Sequence, residues 1–347
     1  AAPGAVVIGA GSIATGNIKG VAIGHTVYAN GQDAVAIGSN SRSVTQGAAL
    51  GRLANASSSA TALGNQATAS GSKSLAAGNE ATASGESSVA AGDGANASGG
   101  NALAMGLSAC ATQRSSLALG PNAKAQGTST IALGDGAITS DDSDAMALGS
   151  SANASGINAL ALGKSASATK GSAMALGPRA KANAAAGIAL GMDANVSTEY
   201  SIALGAGSTA GARNALTSIQ VSGVEVGNNG KANGAAVLAV GNSTAARQVQ
   251  YVSAGLIGAD STDAINGSQL YRVITAVNAT ATTAKAALST ATIANTTANT
   301  ANTTANRANT TANAANTTAN AANTTANTAN TTANRANTTA NTANTTA

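Results

Sequence analysis

Fifteen glycines, each closing a Val-Ala-Ile-Gly or Leu-Ala-Leu-Gly step or a close variant, recur from Gly9 to Gly205 at intervals of 13 to 15 residues. A unit of about 14 residues is far too small to bury a core of its own. It is stable only when stacked on its neighbours, so the spacing predicts one turn of a solenoid per unit. Most globular enzyme folds are excluded by that period alone.

Composition narrows the choice further. The 347 residues include no Trp, no Phe and four Tyr, while the 44% hydrophobic content rests largely on Ala. Aromatic rings bury the most area per residue, so a chain without them has either a thin interior or one shared between copies. The shared option implies an obligate oligomer. Only 9% of residues are charged and the net charge is +4. No basic run and no interleaved aromatics suit a phosphate backbone, so nucleic acid is not an expected partner. The single Cys110 cannot form an internal disulfide, and on an Ala-rich repeat it reads as one more small residue. No apolar stretch has the length of a membrane helix, and no signal peptide precedes Ala1.

Within one unit two short alternating runs stand out, as in Ile131-Ala132-Leu133-Gly134 and Asn65-Gln66-Ala67-Thr68-Ala69-Ser70-Gly71. Alternation marks strands with two distinct faces, and Gly supplies a turn with positive φ. Pro121 and Pro178 each follow a closing Gly, which fits turns and not ladders. The reading places Val21 and Ile23 inside the roll, opposite small residues such as Ala67 and Ala69. The middle alanines (Ala22, Ala36, Ala62, Ala118, Ala132) then face outward against another chain.

Residues 206–244 lose the period. Their Ser218-Ile219-Gln220-Val221 and Val224-Glu225-Val226 runs suggest extra β-structure, an insertion that projects from the axis, and Leu238-Ala239-Val240-Gly241 suggests one last head-like turn. After Gly267 there is no Gly, Pro, Asp or Glu. From Thr297 a heptad Thr-Ala-Asn-x-Ala-Asn-Thr runs to the end, the signature of a coiled coil. Two seams compete. One runs through Ala291, Ala294, Ala298 and Ala301; the other runs through Leu270, Ile274, Val277, Leu288, Asn295 and Asn302. Asn and Thr are poor helix formers, so disorder is the rival for this segment taken alone.

The 14-residue repeat resembles the head of YadA-like trimeric autotransporter adhesins. Arg247-Gln248-Val249-Gln250-Tyr251-Val252-Ser253-Ala254-Gly255, followed by Asp263-Ala264-Ile265-Asn266-Gly267-Ser268-Gln269-Leu270, resembles the neck of that family. The resemblance implies a left-handed parallel β-roll head over 1–205, the irregular segment 206–244, a neck over 245–270 and a three-stranded parallel coiled-coil stalk over 271–347, assembled as a homotrimer. It assigns trimerisation to Arg247, Val249, Val252, Ala254, Gly255, Asp263, Ile265, Asn266, Gln269 and Leu270. It also implies a bacterial cell-surface location, with a signal peptide and a C-terminal membrane β-barrel that these residues do not include; a passenger fragment is the expectation.

No catalytic residues, metal ligands or cofactor site emerge from the residues themselves. His25 is the only imidazole and reads as an exposed turn residue. Asp141, Asp142 and Asp144, where one unit gains a residue, suggest a solvated loop more readily than a calcium site. Gly9-Ala10-Gly11 precedes no helix and is no dinucleotide fingerprint. The Asn-Thr-Thr triplets match a glycosylation acceptor but follow from the heptad. An adhesin binding host matrix such as collagen, host cells or its own kind is the function expected. A passive spacer is the structural alternative and an ice-binding protein a remote one. A hexapeptide-repeat acyltransferase needs an 18-residue turn and an intersubunit His, so the 14-residue period argues against it.

Overall fold

In the computed structural model, the described residues are 1–16, 19–140, 144–212, 219–221, 224–226, 236–258 and 261–346. The chain forms two units, Ala1–Gln248 and Val249–Ala347.

The first unit is a parallel β-solenoid. Every turn contributes one strand to each of two sheets, and each strand pairs in parallel with its counterpart one turn away. Sheet A has 16 strands, from Val6–Ile8 to Ile202–Leu204 and then Leu238–Ala239; sheet B has 15, from Ile13–Thr15 to Thr209–Ala210. At roughly 4.8 Å between strands the stack is on the order of 70 Å long. Register follows the repeat, with Leu75 opposite Val89 and Leu117 opposite Ile131. The 15-residue interval keeps it too, since Ile131 pairs with Met146. Asp141 and Asp142 lie outside the described residues, and Asp144 occupies a left-handed turn position at φ 60°.

The interior is made of alanine. Ala62, Ala76 and Ala132 of sheet A and Ala69, Ala83 and Ala125 of sheet B are fully buried and form a continuous core with their equivalents. The flanking large residues point the other way: Leu63 and Leu133 remain 38% and 43% exposed. This reverses the assignment read from the sequence, in which Val21 and Ile23 were inside and Ala22 outside. Two strands of two or three residues with two tight turns enclose a slot that mostly accepts one methyl from each wall; the larger Val27 and Val196 are also fully buried, Val196 beside Gly187. Where a turn carries Ser or Thr beside this core, as at Ser74, Ser88 and Thr130, the hydroxyl donates to a turn carbonyl three residues back at 2.7–2.8 Å.

The recurrent glycine answers two demands. Gly78 has φ +144°, and a Cβ there would lie 2.3 Å from the carbonyl oxygen of Gly92 in the next turn. Glycine is thus required by conformation and by the close stacking of backbones. The turn that follows holds its third residue left-handed, for example Asn122 at φ 55° after Pro121, with Ala123 N–H donating to Gly120 C=O at 3.2 Å. Proline second and a left-handed residue third is the type II pattern, which explains the position of both prolines.

Residues Ile219–Val221 and Val224–Val226 pair antiparallel, and the Leu238–Ala239 strand adds to sheet A beside Ile202–Leu204. Of the segment 206–244 read from the sequence as an irregular insertion, Thr209–Ala210 still belong to sheet B, and 213–218, 222–223 and 227–235 lie outside the described residues.

Among its described residues the second unit contains one helix, α1 (Gly267–Thr346), of 80 residues with none buried. Its threonines return their hydroxyls to the carbonyl four residues back, as Thr304 does to Thr300 at 3.0 Å. Among the described residues no helix is long and apolar enough to cross a membrane.

A Gly78→Ala variant is expected to lose at least about 2 kcal/mol from its left-handed strain alone, with the clash added. A lowered thermal midpoint relative to Ala76→Gly, which leaves the turn intact, checks this.

Candidate functional surfaces

Because the interior is narrow, nearly all larger strand side chains are turned outward (Val196 and Thr139 are fully buried exceptions), and the two sheets present different chemistry. The outer face of sheet A carries two ranks of half-buried or exposed aliphatics, including Leu103, Leu117, Ile131, Leu160 and Ile188, with Leu133, Leu162 and Leu190 beside them. Monomeric proteins rarely leave apolar patches beyond a few hundred Å² in contact with water. A strip this long is therefore built to be covered.

The outer face of sheet B is mainly hydroxyl and amide, with residues such as Thr68, Thr82, Asn96, Asn153, Ser167 and Asn195, interrupted by Cys110, Lys124, Ile138 and Lys181. Its first rungs differ, with Ile13, Tyr28 and Arg42 in register. On the turns the side chains also stack. Asn65 donates to Asn79 and Asn79 to Asp93, both at 2.8 Å, forming a polar ladder along consecutive turns. Arg179 grips Asp193 through two bonds of 2.7 and 2.6 Å. That hydrogen bonding holds the Asp193 carboxyl below its ordinary range; both groups are exposed, and such pairs contribute little to stability.

Cys110 lies half-buried on the outer face of sheet B. Burial pushes its thiol above the ordinary range, and Lys124 on the next strand pulls it back in part. A protonated thiol is a poor nucleophile. Among the described residues no three His, Cys, Asp or Glu lie close enough to hold a metal ion. The His25 ring contacts Thr26 Oγ1 at 3.1 Å through Nδ1 in an exposed turn.

The residues assigned to a neck fall into two local clusters. Arg247 closes the last turns of the solenoid: Nη1 donates to Ser208 Oγ at 2.9 Å and to Val240 C=O at 2.7 Å, and Nη2 donates to Ala206 C=O. These carbonyls are the ones a further turn would otherwise meet. In the second unit, Asn266 caps α1. Its Oδ1 accepts from Gln269 N–H at 3.1 Å while Gln269 Oε1 accepts from Asn266 N–H at 3.2 Å, a reciprocal capping box. The same Gln269 amide pairs with the Gly255 peptide, 3.0 Å to its N–H and 2.7 Å to its C=O. Asn266 Nδ2 reaches Val252 C=O at 3.1 Å, and Asp263 accepts from Leu256 N–H at 2.9 Å. Val249, Ile265 and Leu270 stay largely exposed, and Tyr251 is 100% exposed at φ 60°. Ala254 lines a shallow recess with Ile257 and Val273. The resemblance singled out Arg247, Gly255, Asn266 and Gln269 without saying what each contacts; Asn-x-x-Gln is a local signal for the cap alone, and neither the pairing to Gly255 nor the Arg247 plug has one.

The family model for the YadA head domain repeat matches seven stretches between residues 18 and 208. That for the coiled stalk of trimeric autotransporter adhesin matches 252–293, and together the two span more than half of the chain. This chain belongs to the family of YadA-like trimeric autotransporter adhesins. Among curated proteins it is similar to the autotransporter adhesin BtaE of Brucella suis biovar 1 (strain 1330), 36% identical over 66 residues. That match spans 19% of this chain and only 9% of the relative. Among solved structures, the C-terminal YadA-like domain of a Burkholderia pseudomallei protein is 32% identical over 30% of this chain and 49% of that one, with TM-score 0.27. The collagen-binding domain of the Yersinia adhesin YadA is 22% identical over 62% of this chain and 82% of that one, with TM-score 0.26.

Two outcomes follow for a YadA-like chain of this geometry. Iodoacetamide is expected to label Cys110 several-fold more slowly in the native protein at neutral pH than in the unfolded chain, read by mass spectrometry. Gln269→Ala is expected to cost about 2 kcal/mol locally through the lost cap and its partners, read as faster hydrogen exchange at the Gly255 amide.

Proposed function

We propose that the chain works as a homotrimeric, non-enzymatic adhesin on the bacterial cell surface. Its order along the chain is a head over 1–205, an inserted segment over 206–244, a neck over 245–270 and a stalk over 271–347. The aliphatic face of sheet A carries this reading, because it supplies what the alanine interior lacks. Three copies packed through these faces bury the strip, and the polar faces of sheet B then look outward. The stalk needs partners for the same reason. A helix rich in Asn and Thr gives up roughly 0.5 kcal/mol per such residue relative to Ala, and no residue of α1 is buried to offset it.

Adhesion then rests on repetition. Each outward face offers weak hydroxyl and amide contacts, and three faces on one particle convert them to avidity. Host matrix proteins and host cells are the targets this reading names, with self-aggregation as a further outcome of the same surface.

Sedimentation equilibrium tests the assembly: the expected mass is three times the 32.5 kDa chain, and a monomer overturns it. Leu117→Asp together with Leu133→Asp is expected to dissociate the trimer at micromolar concentration. Adhesion is measured by retention of the trimer on matrix proteins, epithelial cells or itself, and absence from all three ends the adhesin reading.

A further inference from the structure

The outer face of sheet B has a charge pattern that scaffolding does not need. Its outward strand positions in the solenoid hold three cations, Arg42, Lys124 and Lys181, all exposed. Every described Asp and Glu of the solenoid sits in a turn, and none lies on a sheet B strand. Asp193, a turn carboxylate that Lys181 influences, is already held by Arg179. A face with cations and no acids repels a parallel copy of itself and attracts an anion.

Spacing specifies the anion. In the pairing ladder Lys124 lies six strands beyond Arg42, and Lys181 lies four strands beyond Lys124. All three occupy the same outward position of their strands, because the register is continuous through each interval. The strands repeat at roughly 4.8 Å, close to the advance of one sugar ring along an extended polysaccharide. Sugars therefore fall about one to a turn. Both intervals are even, so a polymer charged on alternate sugars brings a carboxylate opposite each cation. Between the cations, interrupted by Cys110 and Ile138, the rank offers hydroxyls such as those of Thr68, Thr82 and Ser167, which both donate to and accept from sugar hydroxyls. Next to Arg42, Tyr28 is 43% exposed and gives a ring for a sugar face to stack on.

We infer that the outer face of sheet B is a docking track for a host glycosaminoglycan with one uronic acid per disaccharide, laid along the stacking direction of the solenoid. The inference deepens the adhesin reading and rests on it, since it names the partner of the same outward face.

The test measures retention of the full-length chain, as its native assembly, on surfaces of unsulfated chondroitin, alginate, neutral dextran and collagen. The wild type is compared with a triple variant, Arg42→Gln, Lys124→Gln and Lys181→Gln. A second triple, Lys73→Gln, Arg114→Gln and Lys164→Gln, removes equal charge from the turns. Expected are binding to chondroitin, none to dextran, weaker binding to alginate (charged on every sugar), and at least tenfold loss on chondroitin for the face variant with less than twofold for the turn variant. Equal losses in both variants overturn the track in favour of net charge. Stronger binding to alginate overturns the alternate-sugar register and the host source. Loss of collagen binding alone in the face variant makes the partner a protein. Binding to collagen or cells without chondroitin overturns this inference and leaves the adhesin reading standing; no binding to any surface, cell or second copy removes both.

Discussion

The distance between the two sheets governs this molecule. Fourteen residues must make two strands and two reversals, and the slot they enclose takes one methyl from each wall. Ala62, Ala76 and Ala132 from one wall and Ala69, Ala83 and Ala125 from the other are fully buried in it. A core of methyl groups contributes little per residue, at about 0.8 kcal/mol for each buried carbon. The larger aliphatics that would normally supply the core are displaced to the outside of sheet A. An exterior apolar strip and an interior of alanine are thus two expressions of one dimension, and both point to burial between copies.

Order along the stack comes from the backbone. Each glycine carbonyl lies where the next turn leaves no room for a Cβ, so the turns nest at a single spacing and the strand register cannot drift. What the stack lacks is a natural end. Arg247 supplies one by donating from its guanidinium to two carbonyls and a serine hydroxyl of the last turns, and the Asn266–Gln269 box does the equivalent for the first turn of α1. Both residues lie within the segment that resembles the family's neck.

Most of the architecture was legible in the chain. Glycine spacing marked the solenoid, Pro121 and Pro178 marked the turns, and the heptad after Thr297 marked the helix. The inside and outside of sheet A were not. Alternation distinguishes two faces but does not label them, and the usual preference for large residues in the core favoured Val21 and Ile23. The circumference of the turn decides the matter, and it follows from fourteen residues only when the width of the slot is considered. The inward alanines of the Ala-x-Ala runs, such as Ala67 and Ala69, were legible, but Arg42, Lys124 and Lys181 are scattered singly in sequence and become one rank only when the strands are laid in register.

Nested backbones with a continuous register have an evolutionary consequence. A whole turn gained or lost at any point leaves every remaining pair of strands facing an equivalent neighbour, so duplication or deletion in the gene alters length without requiring a new fold. The helix has the same property in steps of seven. A lineage carrying such a chain can tune its size in coarse increments by recombination between near-identical cassettes, while the single-copy ends, Arg247 and the Asn266–Gln269 box, are the parts that cannot be reshuffled.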